Sequence, residues 1–156
     1  MARVMGEDHL LKLDDGRTVG YATWGDPDGT PVFIVHGTPG SRLVLFPGLD
    51  DPGWLGRRRV RFVGVDRPGY GYSDPWPEAD LLDCAEDLVR VADDLGLGRF
   101  SALGFSGGGP CAIALSVLVP ERVGGVAVVS GLGMLERSDA YEGMGAEYVV
   151  AFEMAR

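Results

Sequence analysis

Residues 103–110 read LGFSGGGP, a single serine among four glycines. Gly104-Phe105-Ser106-Gly107-Gly108 fits the pattern G-x-S-x-G. A serine set on a sharp strand-to-helix turn projects its Oγ outward, as attack on an acyl carbon requires. The flanking positions must lack bulk, because strand and helix approach closely there. The helix start behind the serine also places partial positive charge where an oxyanion would develop. Two other readings compete. Ser106 could be an N-cap at an ordinary turn of a doubly wound sheet. The glycines could also cradle a phosphate, but no Lys-Ser/Thr follows them and no G-x-G-x-x-G follows a strand. In a chain with 25 glycines the pattern alone is weakly specific, and its flanking elements decide its weight.

Those elements are legible. HLLKLDDGRTVGYATWG alternates apolar and polar residues on both sides of Asp15-Gly16, which predicts a β-hairpin with one buried face. PVFIVHG, RFVGVD, GRFSALGF and RVGGVAVVSG are short continuous apolar runs, the pattern of strands covered on both faces. Between the second and third, Leu81, Ala85, Leu88, Ala92 and Leu95 follow helical spacing within residues 78–95, with Glu78, Asp80 and Asp83 in the first turns. Residues 108–118 predict a second helix with Pro110 in its first turn, stopping near Pro120. FPGLDDPGWLG is a weaker helix candidate, interrupted by Pro and Gly. Strands alternating with helices imply a mostly parallel sheet with right-handed crossovers. Ser106 then stands at the junction of the third buried strand and its helix.

Composition narrows the function classes. The 156 residues suit one domain, with 46% apolar and 24% charged residues. A net charge of −9 argues against nucleic acid as a partner. The basic run Arg57-Arg58-Arg59-Val60-Arg61 reads as a solvated helix end entering a strand. Cys84 and Cys111 read as two reduced core thiols. No apolar run suits a signal peptide or reaches the roughly 18 residues of a membrane span, so the expectation is a cytoplasmic protein with no membrane partner. No motif calls for a cofactor or a metal.

Three motifs taken together, HGTPGSR, DRPGYGYSD and GFSGGG in that order, resemble the α/β-hydrolase superfamily. The first and third look most like the branch of proline iminopeptidases and related small esterases. The resemblance implies Ser106 as nucleophile and the backbone N–H groups of Thr38 and Gly107 as the oxyanion hole. Pro39 has no N–H to donate, which agrees with Thr38. The resemblance also implies that His36 shapes the oxyanion loop and is not the general base, because the acid and histidine follow the serine in this family. Both histidines here, His9 and His36, precede Ser106. Asp66, ending the second buried strand, is expected to stabilise the turn that follows.

The expectation is therefore an α/β-hydrolase-type mostly parallel sheet with an N-terminal hairpin, incomplete at the C-terminus, with late strands and most of the lid absent. Residues 1–137 would form the N-terminal part of the core, and 138–156 the start of a lid helix. The expected activity is a serine hydrolase acting on small ester or amide substrates through an acyl-enzyme, inactive as this chain alone. The alternatives are a non-catalytic binding protein of the same fold or a truncated gene product. In the superfamily the VGGVAVVSG strand is internal. Here it would lie at an edge, open to a complementary chain or to self-association.

Overall fold

The computed structural model describes residues 6–43, 57–133, 142, 145 and 146. Both the FPGLDDPGWLG helix candidate and nearly all of the expected lid segment lie outside the described residues. Six strands form one sheet: β1 (Glu7–Lys12), β2 (Thr18–Gly25), β3 (Thr30–Val35), β4 (Val60–Val65), β5 (Phe100–Phe105) and β6 (Val123–Val129). Two helices, α1 (Leu81–Asp94) and α2 (Gly109–Leu118), follow β4 and β5. The spatial order is β1-β2-β4-β3-β5-β6. β4, β3, β5 and β6 are parallel, and the β1–β2 hairpin joins antiparallel through β2 against β4.

The hairpin turns where Asp15-Gly16 predicts it, with Gly16 at φ 89°. β3 is central, and Phe33, Ile34 and Val35 are buried on alternate faces, as its unbroken apolar run requires. Phe33 and Val35 join Val19, Tyr21, Val63, Val65 and Phe100 beneath both helices, where they meet Leu88, Val91 and Leu115. Ile34 joins Ala22, Trp24 and Phe62 on the opposite face. Each such buried side chain contributes about 1.5–3 kcal/mol relative to exposure.

Two features differ from the sequence reading. β2 is buried on both faces, not one, because it sits between β1 and β4 and the loop after β4 folds across it. The Asp74 carboxylate accepts from the Thr18 amide at 2.7 Å, and the Ser73 hydroxyl from the Gly20 amide at 3.0 Å. α1 begins at Leu81 and not at Glu78, because Asp80 and Asp83 close a reciprocal capping box. β6, with the letters of a strand covered on both faces but expected at an edge, ends the sheet among the described residues and is largely exposed. β5 is its sole neighbour among the described residues, and Val128 and Val129 are 42% and 43% exposed. Among the described residues, no helix is long and apolar enough to cross a membrane.

Tyr21 ties the hairpin to α1 by donating its hydroxyl to Asp94 at 2.8 Å. Burial first, then that bond, pushes its phenol up to about 12. The folded state thus holds the phenol proton more tightly than the unfolded chain, whose tyrosines ionise near 10. Stability from this group is complete below about pH 10 and declines between pH 10 and 12. Ultraviolet titration should show a tyrosine step near pH 12 that Tyr21→Phe removes. A high-pH titration left unchanged by Tyr21→Phe would contradict it.

Candidate active site

β5 ends at Phe105 and α2 begins at Gly109, so Ser106–Gly108 must turn the chain within three residues as a single 3-10 turn. Ser106 accordingly has φ 50°, a left-handed conformation rare for a residue with a side chain. Holding it there costs on the order of 1–3 kcal/mol, and such strain clusters at functional sites. Ser106 is half-buried, and no described side chain hydrogen-bonds its hydroxyl. The turn lies at the carboxyl end of the parallel strands, where ligands enter open α/β sheets.

The loop after β3 comes to the same place. A Cβ on Gly37 would stand 2.9 Å from the Ser106 Cβ, so the loop passes directly over the serine. The position a Gly107 Cβ would occupy is 3.1 Å from the Thr38 Oγ1 and 3.7 Å from the Thr38 amide nitrogen. Ser106, Gly107 and Thr38, 69 residues apart at the extremes, thus share one corner of the molecule.

His36 is nearly sealed from solvent at 1% exposure. The Arg67 amide lies 3.1 Å from its Nε2, and an amide can only donate, so Nε2 accepts. Nδ1 then carries the proton and donates to the Gly37 carbonyl at 2.7 Å. Burial, with a smaller push from the Arg67 charge, lowers the His36 pKa and keeps the ring neutral. With both nitrogens occupied, His36 has no lone pair for a Ser106 proton. His9 is remote in topology: it stacks on Tyr21 from β1, four positions from β5 in the sheet. Neither histidine of the chain addresses the serine.

Asp66 stabilises the turn after β4, as read from sequence. Fully buried, its carboxylate accepts from the Arg42 amide (2.6 Å), the Arg42 guanidinium (2.8 Å) and the Tyr72 amide (2.9 Å). The next residue, Arg67, was not singled out by sequence. Its Nη2 donates to the Thr38 Oγ1 at 2.6 Å and to the Gly37 carbonyl at 3.1 Å. Tyr70 completes the group, with its hydroxyl 3.2 Å from the Thr38 Oγ1 and its ring edge-on to His36 at 5.0 Å.

A cavity of about 350 Å³ opens beside Gly107, lined by Arg67, Pro68, Trp76, Leu81, Cys84 and Cys111 among others. Both cysteines are free and buried, as expected. The Cys111 thiol is pushed up by its hydrogen bond to Cys84 and by burial, which keeps it protonated and unreactive. The serine is therefore the nucleophile candidate of this corner.

Residues 30–147 match the family model described as alpha/beta hydrolase fold. A proline iminopeptidase of Xanthomonas citri is 32% identical over 136 residues, covering 81% of this chain and 40% of that protein. The proline iminopeptidase of Neisseria gonorrhoeae is 31% identical over 132 residues, covering 83% and 41%. Among solved structures, an esterase from Exiguobacterium antarcticum superposes with a TM-score of 0.72 at 26% identity, covering 96% of this chain and 55% of the esterase. The chain spans about two fifths of the length of these curated relatives. Sheet order, the strained serine after β5 and the matched residues agree: the chain belongs to the α/β-hydrolase family.

Proposed function

We propose that the site is that of a serine hydrolase acting on small ester or amide substrates through an acyl-enzyme. The observation that carries this reading is the left-handed Ser106, held at the head of α2 with the Gly37–Thr38 loop laid over it. In this reading the Ser106 Oγ attacks the acyl carbon, and the oxyanion takes hydrogen bonds from the Gly107 and Thr38 amides. The leaving group departs with the proton that the hydroxyl gives up. That proton needs a base, and neither histidine of the chain is placed to accept it: His36 has both ring nitrogens occupied and His9 stacks on Tyr21. The exposed β6 edge is the natural place for a further strand to join, from a complementary chain or a second copy. A non-catalytic binding protein is the second reading, favoured by the occupied His36 nitrogens.

p-Nitrophenyl acetate separates the two readings. The chain should release p-nitrophenolate with at most the roughly 10³–10⁴-fold enhancement that oxyanion contacts and binding alone provide. Prolonged exposure at alkaline pH should leave an acetyl group on Ser106, seen by peptide mass spectrometry and absent in Ser106→Ala. Acetylation elsewhere with Ser106 untouched would favour the binding protein. Fast turnover lost in Ser106→Ala would show that a base is present after all.

A further inference from the structure

We propose that Arg67 is the positioning residue of the oxyanion loop, acting by locking the orientation of the Gly37–Thr38 peptide. A peptide unit is planar, and in the trans form its C=O and N–H point in opposite directions. The Gly37 carbonyl and the Thr38 N–H belong to one such unit, so whatever fixes the carbonyl aims the amide. The carbonyl accepts from the His36 Nδ1 at 2.7 Å and from the Arg67 Nη2 at 3.1 Å. Both lone pairs are used, and the Thr38 N–H is turned the other way.

The sequence around this peptide cannot hold it unaided. Thr38 and Pro39 are exposed, and Gly37 and Gly40 have no side chain to pack. Arg67 supplies the missing restraint from two directions. Its Nη2 also grips the Thr38 Oγ1 at 2.6 Å, while its own amide holds His36 in the tautomer that donates to Gly37. Tyr70 closes the ring, with the Arg67 guanidinium 4.7 Å above its face and its hydroxyl on the Thr38 Oγ1. A guanidinium donor on the Gly37 carbonyl also polarises the peptide, which makes the Thr38 N–H a stronger donor.

The donors of Arg67 go to the oxyanion loop: its Nη2 bonds the Gly37 carbonyl and the Thr38 Oγ1, and no carboxylate pairs with it among the described residues. Its Nε is buried without a hydrogen-bond partner among the described residues, which costs stability. The side chain accepts that penalty in a pose that puts its other donors on the oxyanion loop.

The inference rests on the hydrolase reading only for its effect on rate, so the test measures geometry and rate separately. In ¹⁵N-labelled chain, Arg67→Met should shift the Thr38 amide resonance, while amides of β3 and β4 stay in place. Acetylation of Ser106 by p-nitrophenyl acetate should slow by roughly 10- to 100-fold, below the loss for outright removal of an oxyanion donor. Arg67→Lys, which keeps one donor, should recover part of both effects. Free guanidinium should do the same for Arg67→Ala. Should the Met variant fail to fold, the Lys and Ala variants carry the comparison. A Thr38 amide unchanged in the folded variants overturns the proposal, even if acetylation slows. A Thr38 amide that moves while Ser106 is unreactive in every form supports the lock and removes the hydrolase reading.

Discussion

Gly108→Ala is expected to abolish the fold or lower its melting temperature by about 10 °C or more. Gly108 has φ −82° and ψ −14°, angles that alanine adopts freely, so the whole effect is steric. An added Cβ would stand 2.2 Å from the Val35 carbonyl oxygen, 2.6 Å from that of His36 and 2.7 Å from the Val35 carbonyl carbon. All three are backbone atoms of β3 and the loop after it. They cannot yield without disturbing the pairing of β3 with β4 and β5. Overpacking against movable side chains costs roughly 1–3 kcal/mol, and a backbone-to-backbone clash should exceed about 4 kcal/mol. That is a large part of the 5–15 kcal/mol that typically holds a domain. At roughly 2–4 °C per kcal/mol for a chain of this size, the shift follows. Gly107→Ala is the control: its Cβ would meet the Thr38 Oγ1 at 3.1 Å, a side-chain atom that can turn aside. Circular dichroism melts of the two variants decide it. A Gly108→Ala chain melting within a few degrees of the parent would mean that the turn after β5 is not held as tightly as these contacts require.

The same close approach explains why the centre of this fold could be read from sequence. Gly104 and Gly108 stand where strand, helix and loop backbones touch, and the pattern around Ser106 records that contact in its letters. β3, β4 and β5 were legible because a strand inside a parallel sheet is buried on both faces, and an unbroken apolar run says so. β6 shows the limit of that inference. Its run VGGVAVV matches the others, yet burial belongs to its neighbours, and on one side the described residues provide none. β2 fails the opposite way: Thr18, Gly20 and Ala22 look like a solvent face, but the loop from Asp66 to Asp74 covers it. At the site, Ser106, Gly107 and Thr38 carry motif signals, whereas Arg67 does not. In a stretch rich in Pro and Gly, an arginine has no periodicity to mark its direction, and alone it reads as surface charge. What gives it a role is a hydrogen bond to a carbonyl 30 residues away, which no local pattern encodes.

Asp66→Ala should be nearly as damaging as the elbow substitution, by an electrostatic route. The Arg42 and Asp66 side chains are 3% and 0% exposed and meet at 2.8 Å. Removing Asp66 leaves the Arg42 guanidinium buried with only Asp8, whose carboxylate is 45% exposed. An uncompensated buried charge costs about 3–5 kcal/mol, because the desolvation penalty stays while the attraction is gone. Arg42 cannot escape by losing its proton, because a guanidinium stays protonated in proteins. The Tyr72 amide and the Arg42 amide lose their acceptor as well. Asn is not a remedy. Its Oδ1 could still accept from the Arg42 amide, but its NH₂ would face the Arg42 guanidinium and the Tyr72 amide, donor against donor. Asp66→Asn should therefore lose most of what Asp66→Ala loses. Replacing the pair, Arg42→Leu with Asp66→Ala, should cost distinctly less than the sum of the single changes, since it removes the stranded charge. Denaturant titrations of the two Asp66 variants, the Arg42 variant and the double variant measure this. Strict additivity, or an Asn variant as stable as the parent, would show that Asp66 serves the turn as a hydrogen-bond acceptor without the buried charge pair contributing.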